Sequence, residues 1–279
     1  AFEKTKLAGI HRRSIESRED FWGEQAGLID WFEAPSQVLD YSNPPFARWY
    51  VGGKTNICFN AIDRHLSDRA DQTALVYIST ETNEERCYTF AQLHQEVQTM
   101  AAAMQSLGVM RGSRVLIYMP MVAEAIVAML ACVRIGAIHS VVFGGFAAPS
   151  LAARIDDAQP VLMVSADAGM RGGKVVPYKH LVDEACRLAQ TPPARVLLVN
   201  RGIAPLDLVS GRDLEYGPLR TRFAQAVVPC EQLLATDPSY ILYTSGTTGK
   251  PKGVQRDTGG HAVALAASMR HIYDCKPGE

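Results

Sequence analysis

Apolar residues recur along this chain with two different periods, and the changes of period divide it. After Thr89, the residues Phe90, Leu93, Val97, Met100, Met104 and Leu107 follow spacings of three and four, which lines one face of a helix. Thr89 stands where an N-cap belongs and Gly108 lies just past the last apolar position, so the pattern predicts a helix between them. The unbroken apolar runs RVLIYM and AIHSVVF predict buried strands on either side of a helix over Val122–Ile135 that stops at Gly136. Further on come a helix over Ser150–Ala158, strands at Val161–Val164 and Val196–Val199, and between these a helix over Tyr178–Ala189. Upstream, an amphipathic helix carrying Phe21, Trp22, Ile29, Trp31 and Phe32 precedes the turn-rich SNPPFARWY, whose aromatics are read as packing residues. A second helix fits Asn56–Leu66, and ALVYIS and RCY are strand-like. Arg201–Leu219, rich in Gly, Pro and Asp, reads as a surface excursion. Strands alternating with helices, the strands apolar throughout, predict an α/β fold with a largely parallel sheet flanked by helices.

Composition narrows the picture. A chain of 279 residues, 47% hydrophobic, can bury a sizeable core. Lys and Arg total 28 against 29 Asp and Glu, so no global charge draws the protein toward nucleic acid or an anionic membrane. Cys58, Cys87, Cys132, Cys186, Cys230 and Cys275 form no C-x-x-C and no zinc spacing, which suits reduced thiols in the cytoplasm. The segment Met119–Ile138 is apolar but interrupted by Glu124 and Arg134, as a buried helix would be. His139, inside an apolar strand, is expected to be a core residue, and Asp156-Asp157 a solvated or capping pair rather than a metal site.

Three loops after strands carry candidate chemistry, because ligands of open parallel sheets sit beyond the carboxyl ends of the strands. The strand Tyr240–Tyr243 runs into Thr244, Ser245, Gly246, Thr247, Thr248, Gly249, Lys250, Pro251, Lys252 and Gly253. Glycines let backbone N–H groups approach closely, hydroxyls donate short hydrogen bonds and lysines supply compact charge, a mixture suited to polyphosphate. No Gly-x-x-x-x-Gly-Lys-Ser/Thr spacing is present, so a P-loop is excluded. The second loop, Phe143-Gly144-Gly145-Phe146, either admits something flat against its backbone or is a tight turn into the next helix. In the third, Arg171 and Lys174 bracket Gly172-Gly173, either as solvated charges or as an anion site.

YTSGTTGKPKG resembles the phosphate-binding signature of the adenylate-forming enzymes, and SNPPFARWYVGGKTN, VLIYMPMVAEAIVAMLACVRIGAIHSVVFGGF and ADAGMRGGKVVPYK resemble the short-chain acyl-CoA synthetases among them. Gln255-Arg256-Asp257 is similar to the propionate-using branch more than to the acetate-using one. The resemblance implies a ligase that joins a short-chain carboxylate to coenzyme A by way of an acyl-adenylate. ATP with Mg2+ and CoA would be co-substrates, with no tightly bound cofactor. It puts ATP phosphates on Thr244–Gly253 and CoA on the other two loops, with the adenine end near Phe143, Gly144 and Gly145 and the ribose phosphate on Arg171 and Lys174. Where Lys174 stands, family members often carry a second arginine; the charge is kept but the bidentate geometry is lost.

Residues 1–65 would then be the N-terminal cap of such a synthetase and 66–279 part of its large adenylation domain. The family's adenine, ribose, metal and acyl-pocket motifs and its catalytic lysine lie downstream of the phosphate loop, and none is found before Glu279. The chain is therefore expected to cover about the first half of a ligase, by truncation, and to be inactive alone. The readings left beside it are an acetate-using synthetase and a non-enzymatic remnant that at most binds a phosphate ligand or a partner.

Overall fold

The helix predicted after Thr89 runs over Phe90–Ser106. It starts in a capping box in which Thr89 Oγ1 accepts the Gln92 N–H at 3.2 Å and Gln92 Oε1 accepts the Thr89 N–H at 2.9 Å. Val97, Met100, Ala101 and Met104 on its inner face are fully buried. Replacing the cap, Thr89→Ala, is expected to lower stability by about 1 kcal/mol, read as a shift of the urea midpoint at constant slope.

The computed structural model describes residues 4–244, 251–276 and 278. Its chain forms two units, one of residues 65–231 and 239–255, the other of residues 1–64, 232–238 and 256–279. The larger unit is built on a sheet of seven strands: β1 Arg114–Tyr118, β2 Ile138–Val141, β3 Leu162–Ala166, β4 Arg195–Val199, β5 Asp213–Glu215, β6 Pro238–Thr244 and β7 Lys252–Asp257. Their spatial order is β5-β4-β3-β1-β2-β6-β7. All the pairings from β5 across to β6 are parallel, so these strands end on one edge of the sheet. The chain steps from β1 to one side and then crosses to β3 on the other, which places a topological switch point at β1 and β3.

Side chains alternate across the strands, so each face of the sheet takes its own layer. Leu116, Met163 and Leu198 form one core with Leu151, Ile155, Val182 and Ala185 of the helices Ala148–Ala158 and Tyr178–Leu188. Val115 and Ile117, equally buried, face the other way. Helix Ala123–Arg134 packs on β1 and β2 and against Phe90–Ser106. His139 is buried in β2 and stacks on Tyr240 of β6 with centroids 5.5 Å apart, as a core residue does. All six cysteines are free thiols. Among the described residues no helix is long and apolar enough to cross a membrane.

Several local expectations are corrected. Arg201–Leu219 is no mere excursion, because it supplies the edge strand β5 and the start of the helix Tyr216–Arg222. The reason is a buried ion network that composition does not reveal. The Asp213 carboxylate is buried between Lys179 at 3.2 Å and Arg212 at 2.5 Å, and both cations also meet Asp183.

The other corrections fall within residues 21–66. The first amphipathic helix ends at Gln25, continues as a 3-10 turn over Ala26–Leu28, and leaves Ile29 extended. Tertiary hydrogen bonds override the periodicity there: Asn60 Oδ1 accepts the Asp30 N–H at 2.7 Å, and Thr55 Oγ1 donates to Asp30 O at 2.8 Å. SNPPFARWY is the turn and second strand of an antiparallel hairpin, Gln37–Asn43 with Phe46–Val51. Its Trp49 and Tyr50 pack with Trp22 and Trp31, while Phe46 is exposed. The helix expected over Asn56–Leu66 is broken, the first piece being Ile57–Ala61 with Asn56 as its cap.

Candidate functional site

The loops that leave β2 and β3 come together at the carboxyl edge of the sheet. Beyond β3 the chain makes a hairpin, Gly169–Arg171 against Lys174–Val176, where the sequence suggested only a charged loop. Gly172 and Gly173 both have positive φ, +56° and +74°, as a two-residue turn matched to the strand twist requires. That turn makes Arg171 and Lys174 direct cross-strand partners. Like charges so placed repel one another, which is a cost that an anionic ligand would remove.

The Phe143–Phe146 loop meets this hairpin directly. The Arg171 guanidinium lies 5.5 Å from the centre of the Phe143 ring, which is 61% exposed. A Cβ built on Gly145 would come within 2.5 Å of both Arg171 Nη1 and the Phe143 ring, so the guanidinium and the ring lie against the backbone in space that glycine leaves open. Gly144 has the same need for another reason, since its Cβ would fall 1.9 Å from the Tyr178 hydroxyl. Tyr178 is buried and also touches Gly169, whose added Cβ would meet its ring at 3.1 Å and Pro120, just after β1, at 2.9 Å. One tyrosine thus separates the two loops. Burial pushes its phenol up from the ordinary value, Glu81 adds to this, and Arg201 and Arg171 oppose it. Tyr118, at the end of β1, packs on Tyr178 at 5.0 Å and donates to Phe146 O at 2.6 Å.

The root of the hairpin is tied down by Asp167, which is buried and accepts the backbone N–H groups of Arg201, Ile203 and Ala204 at 3.0, 2.8 and 3.2 Å. Neither Asp167 nor Tyr178 was singled out by the sequence as a site residue. Arg201 and Glu81 were missed as well, since they stand 120 positions apart and pair only in the fold.

The third loop begins at the end of β6. Thr244 is exposed there, Lys252 is exposed at the start of β7, and Gly253 packs against β6, where an added Cβ would meet Ile241 at 3.1 Å and the Tyr243 ring at 3.3 Å. Ser245, Gly246, Thr247, Thr248, Gly249 and Lys250 lie outside the described residues. Helix Ala148–Ala158 connects this strand end with the Phe143–Phe146 loop. Its Arg154, buried, lies 4.3 Å from the Phe146 ring and 5.6 Å from that of Tyr243. Asp157 Oδ2 accepts the Tyr243 hydroxyl at 2.5 Å, and Asp156 takes the backbone N–H groups of Gln190 and Thr191. The acidic pair therefore braces strand and loop ends.

Fold and loops together define an AMP-binding enzyme: the model of that family matches residues 62–279, and the chain belongs to it. Residues 8–61 match the acetyl-coenzyme A synthetase N-terminus. The chain is 60% identical over 269 residues to the propionate–CoA ligase of Escherichia coli (strain K12), covering 96% of this chain and 43% of that protein. It is 44% identical to the acetyl-coenzyme A synthetase of Syntrophus aciditrophicus (strain SB), covering 97% and 42%. The solved acetoacetyl-CoA synthetase from Streptomyces lividans superposes with a TM-score of 0.87 at 30% identity, over 96% of this chain and 41% of that one. The chain thus spans less than half the length of these relatives.

Proposed function

We propose that this chain supplies the ATP-phosphate and CoA contacts of a ligase that converts propionate, ATP and CoA to propionyl-CoA, AMP and pyrophosphate in the cytoplasm. The observation that carries the reading is the hairpin that sets Lys174 opposite Arg171, whose guanidinium lies against the exposed Phe143 ring. An aromatic face next to two cations suits a nucleotide end that carries an extra phosphate. The likeness to propionate–CoA ligase supports the choice of acid.

A carboxylate is a poor electrophile. Its oxygen first bonds to the α-phosphorus of ATP, the α–β bridge breaks, and pyrophosphate leaves; the CoA thiolate then attacks the acyl carbon and AMP departs. Lys250, Lys252 and the hydroxyls of Thr244, Ser245, Thr247 and Thr248 neutralise charge on the β and γ phosphates as pyrophosphate separates, with Mg2+ arriving as part of the ATP complex. Gly246, Gly249 and Gly253 add no side chain that would keep phosphates from the backbone N–H groups. The chain's contribution is positioning and charge rather than covalent chemistry.

Two measurements test this in a ligase of the relatives' full length that carries this segment. Steady-state turnover should release AMP and show a higher kcat/KM for propionate than for acetate; a preference for acetate or butyrate would overturn the assignment of the acid. Arg171→Ala should raise KM about tenfold for CoA, the worth of one charge-assisted contact, and far less for dephospho-CoA. Equal losses with both thiols would mean that the cation serves only the hairpin.

A further inference from the structure

We infer that Glu81 is a positioning residue for the CoA phosphate, holding the hairpin of Gly169–Val176 at the angle from which Arg171 and Lys174 reach their ligand. The inference rests on the CoA reading of those two cations. Glu81 lies between the strands Thr73–Ser79 and Glu84–Thr89, about ninety positions before the hairpin it touches. Its Oε1 accepts the Met170 N–H at 3.2 Å, and its Oε2 accepts Arg201 Nη2 at 2.9 Å. Arg201 Nη1 in turn donates to Ala168 O at 3.0 Å. One carboxylate and one arginine thus grip the hairpin on both sides of Gly169, one residue before the cation that would bind phosphate.

The backbone explains why the grip falls on Met170. In a hairpin closed by a two-residue turn, Arg171 and Lys174 exchange the ladder bonds, and the N–H of the preceding residue points outward from the edge. A two-stranded ribbon is marginal by itself, so its direction is fixed only where such edge groups are held. Glu81 takes that outward N–H. Charge explains why the acceptor is a carboxylate: the Arg201 side chain is only 8% exposed, and a buried guanidinium without a counter-charge is strongly unfavourable. The backbone N–H groups of Arg201, Ile203 and Ala204 are already committed to Asp167, so Arg201 cannot follow the hairpin if it swings. Tyr178 limits the opposite movement through Gly169 and Gly144.

The test uses a full-length ligase carrying this segment, with Glu81→Ala, Glu81→Asp and Arg171→Ala compared on CoA and on dephospho-CoA. Glu81→Ala should raise KM for CoA about tenfold, because a displaced cation loses most of a charge-assisted contact, and should leave KM for dephospho-CoA within about twofold. Propionate-dependent pyrophosphate exchange, which needs no thiol, should stay within about twofold of the parent. Glu81→Asp keeps the charge beside Arg201, and so folds even if the alanine variant does not, but its stem is one carbon short of spanning both partners. It should weaken CoA several-fold, again without cost to dephospho-CoA. If Arg171→Ala abolishes the preference for CoA over dephospho-CoA while both Glu81 variants keep the parent's ratio, the positioning role is wrong and the CoA reading stands. If Arg171→Ala itself leaves the ratio unchanged, the CoA reading fails and takes this inference with it. Equal losses of exchange, CoA and dephospho-CoA turnover in Glu81→Asp would mean that the clamp only stabilises the fold.

Discussion

Lys252→Ala will slow formation of the acyl-adenylate while leaving the affinity for CoA almost unchanged. Lys252 is exposed at the start of β7, beside Gly253, which packs on the end of β6, so it stands where the chain returns to the sheet from the loop proposed to hold phosphate. Charge builds on the β and γ phosphates as pyrophosphate separates, and a fixed cation there is worth more in the transition state than before it. A charge-assisted contact contributes about 1.5 to 3 kcal/mol, so the propionate-dependent exchange rate should fall by roughly one to two orders of magnitude. An equal rise in KM for CoA would show that the lysine acts on the architecture instead.

Asp213→Ala should be the most destabilising of the changes considered. It removes the fully buried carboxylate from between Lys179 and Arg212, both of them largely buried, and leaves Asp183 as their acidic partner in this cluster. Breaking such a pair costs about 3 to 5 kcal/mol. Edge strand β5 and the helix Tyr178–Leu188 would loosen together, and that helix begins with the tyrosine that separates the two loops proposed to hold CoA. The penalty should depend on pH. Burial raises the affinity of Asp213 for a proton, but Arg212, the Val209 N–H and Lys179 together outweigh it and hold the carboxyl below the ordinary range. A depressed folded-state pKa contributes stability that is complete above the unfolded value, about 3.9, and is lost as pH falls through the folded one. The gap between parent and Asp213→Ala should therefore be constant near neutrality and shrink below about pH 4. A gap that grows on acidification would reverse the assigned sign.

How much could be read from the sequence depended on how local the determining interaction is. The helix Phe90–Ser106 was legible because its cap, period and stop are all contiguous, and the parallel strands were legible because burial on both faces leaves them apolar throughout. The end of the first amphipathic helix was not, because Asn60 and Thr55 decide the backbone at Asp30 from thirty and twenty-five positions away. Strand β5 was hidden in a polar stretch whose charges are paired inside the protein rather than solvated. At the candidate site the glycines and cations could be named from pattern and resemblance. What sets them was invisible: the Tyr178 wedge declares itself only through the space missing above Gly144 and Gly169, and the Glu81–Arg201 clamp only through a pairing across 120 residues.

The most direct test of the two-step chemistry is exchange of labelled pyrophosphate into ATP, measured without CoA in a ligase of the relatives' full length that carries this segment. The account predicts exchange that requires propionate, proceeds in the absence of any thiol, and falls in the Lys252→Ala variant. Exchange that appears only when CoA is added, or labelled phosphate and ADP as the products in place of pyrophosphate and AMP, would contradict it.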